Sequence, residues 1–145
     1  MKWYQILWEL PQTLLGWLIS KCVTIENKTE HEGRRLIFFK RNNWFSRTFS
    51  GGSFGFYIFL PVDSDQITVA HEYGHCLQSK KWGPLYIPVI GLPSMSNNLR
   101  GRSIYPLMTY NEVQEDYYNR YPEKEADQLG GVVWLEGERV LKDYV

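Results

Sequence analysis

The run His71-Glu72-Tyr73-Gly74-His75 constrains this chain more than any other stretch. Residues four apart on a helix share a face, so His71 and His75 aim two imidazoles at one point, with Glu72 offset beside them. Neutral imidazole nitrogens are zinc ligands, and a catalytic zinc leaves one position to water. A neighbouring carboxylate then takes the proton of that water as it attacks a carbonyl carbon. The run predicts a helix over Gln66 to Lys81, a Zn2+ cofactor held by His71 and His75, and Glu72 as general base. Val69, Ala70 and Gly74 put small and apolar residues around it, unlike a solvated charged face. The motif also makes a demand, because a zinc site needs a third protein ligand from another element.

Glu123-Lys124-Glu125-Ala126-Asp127 meets that demand. Proline suits a first helical turn and glycine a helix end, so a second helix runs from about Tyr121-Pro122 to Gly130-Gly131. Glu123 and Asp127 share one face of it. Glu123 is then the third ligand, with Glu125 as the fallback, and Asp127 accepts the outer ring N–H of a ligand histidine.

Here the sequence resembles the gluzincin metallopeptidases, whose pattern is H-E-x-x-H followed by a helix carrying E-x-x-x-D. The Glu123 to Asp127 run looks like the E-x-E-A-D of the integral-membrane heat-shock and prenyl-protein proteases, and the short chain is similar to the soluble minigluzincins. The resemblance covers His71 to Asp127. It implies zinc ligation by His71, His75 and Glu123, base function for Glu72 and an orienting role for Asp127. It also implies a substrate-pairing edge strand at Ser53 to Tyr57, making Ser53, Phe54 and Gly55 substrate-binding. Gluzincins often add a histidine or tyrosine to steady the oxyanion. No histidine follows His75, so the candidates are Tyr117, Tyr118 and Tyr121, with Tyr118 favoured. The membrane spans of the larger proteases have no counterpart in this chain.

The remaining sequence frames these helices. Trp3, Ile6, Leu7, Leu10, Leu14 and Trp17 recur at helical spacing, with Pro11 dividing two short pieces that pack on the core or touch a membrane surface. Glu26 to Arg35 reads as a charged loop holding a surface His31. Leu36 to Lys40, Trp44 to Phe49 and Ser53 to Leu60 read as strands. Gly83 to Ser94 is apolar but broken by glycine and proline, Ser94 to Ser103 reads as a polar loop, and Val132 to Val145 as a strand turning at Glu136-Gly137 or a helix. Cys22 and Cys76 read as reduced and buried. The expected fold class is α+β: one domain over 1–145, its small, mostly antiparallel sheet packed on the metal helix and on a second ligand-bearing helix.

Sixteen basic and sixteen acidic residues cancel, and no block of one sign is present to hold nucleic acid. The first twenty residues are interrupted by Glu9, Pro11 and Gln12, a poor signal peptide, so the chain is expected to be cytoplasmic or membrane-peripheral. The expected function is zinc-dependent metalloendopeptidase action on a peptide or protein substrate. The alternative is a non-enzymatic zinc-stabilised interaction module that touches a membrane through its Trp-rich N-terminal helices. A deformylase fits less well, since Cys22 lacks a Glu-Gly-Cys setting.

Overall fold

The computed structural model describes residues 3–49 and 51–144. Two short helices, α1 (Trp3–Trp8) and α2 (Leu10–Ile19), open the chain, with Pro11 in the first turn of α2. β1 (Thr24–His31) and β2 (Arg34–Lys40) then form a hairpin that turns at Glu32-Gly33, both at positive φ. The charged stretch expected as a loop is thus an edge strand. Its residues are largely exposed, so polar side chains cost it nothing. His31 ends that strand half-buried, with its ring edge-on to Tyr73 at 5.3 Å, rather than lying free on the surface.

Trp44–Thr48 forms a short helix, α3, where a strand was expected. Asn43 and Ser46 cap it reciprocally, and Phe45 and Phe49, four apart, stack at 5.4 Å. Aromatic content suggested a strand, but the capping pair and the four-residue spacing decide for a helix. The expected strand Ser53 to Leu60 is likewise a hairpin. β3 (Gly52–Phe54) and β4 (Tyr57–Pro61) turn through Gly55 at φ 58, a conformation glycine adopts at little cost.

The sheet order is β1-β2-β4-β3, with β2 and β4 parallel and the other two pairs antiparallel, so β3 is an edge. Ile37, Phe39 and Phe59 are buried in a core cluster with Phe49 and Phe54 packed against it. Leu36, Ile58 and Leu60 form a second buried cluster with Val69 and Cys76 of α4 (Gln66–Trp82). Cys76 is buried, which pushes its thiol up to about 12, whereas Cys22 is exposed, against expectation.

After α4 the chain turns through Gly83–Leu85 and Ile87–Gly91 into α5 (Leu92–Ile104), then α6 (Tyr110–Tyr118) and α7 (Glu123–Gly130). Ser94 to Ser103 is therefore helical, not loop. Its serines and asparagines are weak helix formers, and Leu92, Met95 and Leu99 were its periodic signal. The tail is a hairpin, β5 (Val132–Leu135) and β6 (Glu138–Leu141), turning at Glu136-Gly137. The molecule is α+β, as expected. No helix among the described residues is long and apolar enough to cross a membrane.

The N-terminal helices meet this body through polar groups. Among the described residues of these helices, Glu9, Gln12 and Gly16 are the buried ones, 0–1% exposed for the two side chains. Arg34 forks onto both oxygens of Glu9 at 3.0 Å and donates to the Gly55 carbonyl at 2.9 Å. Ser79 of α4 donates to Glu9 at 2.6 Å, and Gln12 donates to Ser79 Oγ and to the Gly83 carbonyl. A buried ion pair so fully hydrogen-bonded fixes α2 against β2, β3 and α4. Leu7, Leu10, Leu14 and Trp17, the stripe expected to pack on the core or touch a membrane surface, are exposed, which goes against core packing; the side chains of Trp3 and Ile6 lie outside the described residues.

Candidate metal centre

Asp65 caps α4 by accepting from the Thr68 main chain at 2.8 Å, and the helix then presents His71, Gly74, His75 and Gln78 as buried residues. Two glycines set its distance from α7. A Cβ on Gly74 would lie 1.9 Å from the Ala126 carbonyl oxygen, and one on Gly130 would lie 2.0 Å from that of Ala70. Each helix thus offers a glycine to the other's backbone, an approach closer than any side chain allows. Glu123, in the first turn of α7, is thereby brought between the two histidines.

His71 Nε2 lies 3.2 Å and His75 Nε2 3.0 Å from Glu123 Oε2. The three side chains are buried, with Glu123 0% exposed. Their outer nitrogens are tied back. His71 Nδ1 meets Asp127 Oδ1 at 2.7 Å, and Asp127 also receives the Arg139 guanidinium, Nε at 3.0 Å and a terminal nitrogen at 2.6 Å. His75 Nδ1 meets Gln78 Oε1 at 2.7 Å, while Gln78 Nε2 donates to the Pro122 carbonyl and to Glu125. That amide orientation makes Gln78 Oε1 an acceptor, so His75 Nδ1 carries the proton. An ionised Asp127 assigns the Nδ1 proton of His71 in the same way.

In the neutral histidines both Nε2 atoms are then lone pairs aimed at a carboxylate oxygen. Three acceptors converge within 4.8 Å of one another, and Glu123 Oε1 is buried with no hydrogen-bond partner. Such a set is repulsive unless a proton or a cation lies among them. With a proton there, burial opposes charge on His71, but Asp127 and Glu123 outweigh it and raise the pKa to about 9. Burial likewise favours a protonated Glu123, yet His71 and His75 hold it far below the usual carboxylate range. Ligands bound at zinc distances in a tetrahedron stand about 3.3 Å apart, close to the two imidazole–carboxylate spacings, while the three ligand atoms together spread over up to 4.8 Å. The donor set, two imidazoles and a carboxylate with outer partners in place, fits a zinc ion.

Glu72 is half-buried beside this cluster. Ser53 Oγ lies 2.8 Å from Glu72 Oε2 and 2.6 Å from the Glu72 carbonyl, tying the edge strand to α4. The Ser53 carbonyl accepts from the buried Tyr86 hydroxyl at 3.0 Å, and the Gly55 carbonyl accepts from Arg34. Phe54 packs against the core, and Gly55 is backed by Thr13. Of the three residues expected to bind substrate, Ser53 is thus joined to Glu72, Phe54 is a half-buried residue of the edge strand β3, and Gly55 lies in the turn that follows it.

Tyr118 lies edge-on to His71 at 5.1 Å with the Arg139 guanidinium over its ring, and burial pushes its phenol up to about 12. Tyr117 packs on Tyr118, and the exposed Tyr121 donates to the Val89 carbonyl. Glu125 is held by Gln78 and Lys81, outside the cluster. Sequence reasoning missed Gln78, Tyr86 and Arg139. Gln78, three residues after His75 on one helix, was open to the same spacing rule; Tyr86 arrives from the turns after α4 and Arg139 from β6, and neither carried a local signal.

No family model matches the chain, and neither a curated protein sequence nor a solved structure matches it.

Proposed function

We propose that this chain is a zinc-dependent metallopeptidase of the gluzincin type, with His71, His75 and Glu123 as ligands and Glu72 as general base. The observation that carries the reading is the convergence of two imidazole Nε2 atoms on Glu123, each ring held from behind by a hydrogen bond to Nδ1. A zinc ion bound there would supply Lewis-acid activation of water and of a substrate carbonyl. Glu72, adjacent to His71 and not part of the ligand cluster, would take a proton from the attacking water and pass it to the leaving amine. Ser53 orients the Glu72 carboxylate through its hydroxyl. Asp127, backed by Arg139, keeps His71 in the tautomer that offers Nε2.

One observation favours a second reading, a zinc-stabilised interaction module without catalysis: the ligand side chains are at most a few per cent exposed. A structural site closes its fourth position with a side chain and a catalytic site leaves it to water. The test is zinc content together with cleavage of a quenched-fluorescent peptide library by the wild type and by Glu72→Gln. The peptidase reading expects both proteins to hold one zinc and only the wild type to cleave. Equal turnover by Glu72→Gln, or a zinc-loaded wild type that cleaves nothing while its metal is inert to added water-competing anions, overturns it.

A further inference from the structure

Helix α2 is inside out. Its buried residues are Gln12 and Gly16, preceded by the buried Glu9, whereas Leu10, Leu14, Leu15 and Leu18 are 37–53% exposed, and Leu7 of α1 is 57% exposed. A helix that hides polar and small residues and shows leucines outward has its apolar surroundings outside the protein. Tyr4 and Trp8 stand toward one end of this face and Trp17 toward the other, each nearly half exposed. Amphipathic aromatic rings of this kind favour the level of lipid headgroups. The Lys21 ammonium lies 5.3 Å from the Trp17 ring, at the border of the face.

Charge is divided in the same sense. Segments 1–25 and 80–83, which meet at this face, hold Lys2, Lys21, Lys80 and Lys81 against one acidic residue. The single acid is Glu9, buried against Arg34. The two segments meet where Trp8 Nε1 donates to the Lys80 carbonyl and Gln12 donates to that of Gly83. Lys80 and Lys81 thus flank the apolar face, Lys81 in contact with Glu125. A symmetric pairing of two copies through this face would set like charge against like charge. An anionic lipid surface complements it.

We propose that the outer face of α1 and α2, bordered by Lys21, Lys80 and Lys81, is an in-plane anchor that seats the protein on anionic membranes. The leucines enter the acyl boundary, the aromatic rings lie at headgroup level, and the basic side chains contact lipid phosphates. Nothing in this depends on the metal cluster.

The test is flotation of the full chain with vesicles of phosphatidylcholine alone and of equal parts phosphatidylcholine and phosphatidylglycerol. The wild type and Glu72→Gln should both float with the anionic vesicles and only weakly with the neutral ones. Leu14→Glu with Leu18→Glu should lower partitioning on the order of a hundredfold or more, since burial of each leucine is worth about tenfold or more. Lys21→Gln with Lys80→Gln should lower it about fivefold per charge and leaves the apolar face intact, so it serves if the glutamate variant fails to fold. The proposal is overturned if the wild type stays in the aqueous fraction, if neutral vesicles bind it equally, or if it sediments as a stable dimer that the glutamate variant separates.

Discussion

Gly74→Ala tests whether backbone contact sets the metal geometry. The new methyl carbon would start 1.9 Å from the Ala126 carbonyl oxygen, 2.6 Å from its carbon and 2.9 Å from its Cα. A carbon–oxygen contact settles at about 3.3 Å, so α4 and α7 must part by roughly 1.4 Å at this level. No rotamer relieves the clash, because both groups belong to helical backbone. Overpacking of this kind costs about 1–3 kcal/mol, and the rigidity of the contact argues for about 3. The consequence for the cluster is larger. Metal–ligand distances tolerate about 0.2 Å, so Glu123 carried away by that amount no longer closes on His71 and His75. Zinc affinity should fall by at least the roughly 10–100-fold that loss of an outer partner costs. Urea denaturation of the metal-free protein and competition against a chromophoric chelator measure the two effects. Gly91→Ala is the control, since its Cβ meets nothing nearer than 3.9 Å. If Gly74→Ala binds zinc within about twofold of wild type and unfolds within about 0.5 kcal/mol of it, the close-approach argument is wrong.

The metal-free protein should show a characteristic pH dependence. His71 has a folded pKa of about 9 against an ordinary 6.5, so its protonation stabilises the fold fully below 6.5, and that contribution is lost as pH rises through about 9. Melting temperatures in chelator should fall across that window and flatten when zinc replaces the proton; a flat metal-free profile would contradict the assignment. Arg34→Met leaves Glu9 buried and uncompensated and should cost about 3–5 kcal/mol, whereas adding Glu9→Leu should recover most of it, as read by urea midpoints. Arg139→Gln should weaken zinc binding about 10–100-fold through Asp127, with ligand identity unchanged by X-ray absorption. Unaltered affinity would remove Arg139 from the site.

The parts of the fold legible in the sequence were those governed by local rules. The spacing of His71, His75, Glu123 and Asp127 fixed which side chains could share a face, and Gly130-Gly131 marked where the second helix stops. Misreadings arose where two local signals competed. Aromatic residues at Trp44 to Phe49 outweighed the Asn43–Ser46 cap, and weak helix formers in Ser94 to Ser103 hid the Leu92, Met95 and Leu99 stripe. The exposed polar strand Thr24–His31 has no alternation to read, because neither face is buried. At the site, Arg139 and Tyr86 could not be found, since only the hairpins and turns between them and the ligands bring them near. For α2 the apolar period was legible but its direction was not: a repeat gives the face and not what the face is turned toward.

The place of Arg139 in the chain also bears on synthesis. It follows Asp127 by 12 residues and is the last of the groups touching the cluster to leave the ribosome. At roughly 5–20 residues per second, Asp127 is made about one second before the guanidinium that neutralises it, and His71, His75 and Glu123 are made earlier still. A nascent or prematurely terminated chain would own every candidate ligand yet lack the counter-charge that orients one of them. Metal retention would then depend on the β5–β6 hairpin having been made, which is the step that closes the site.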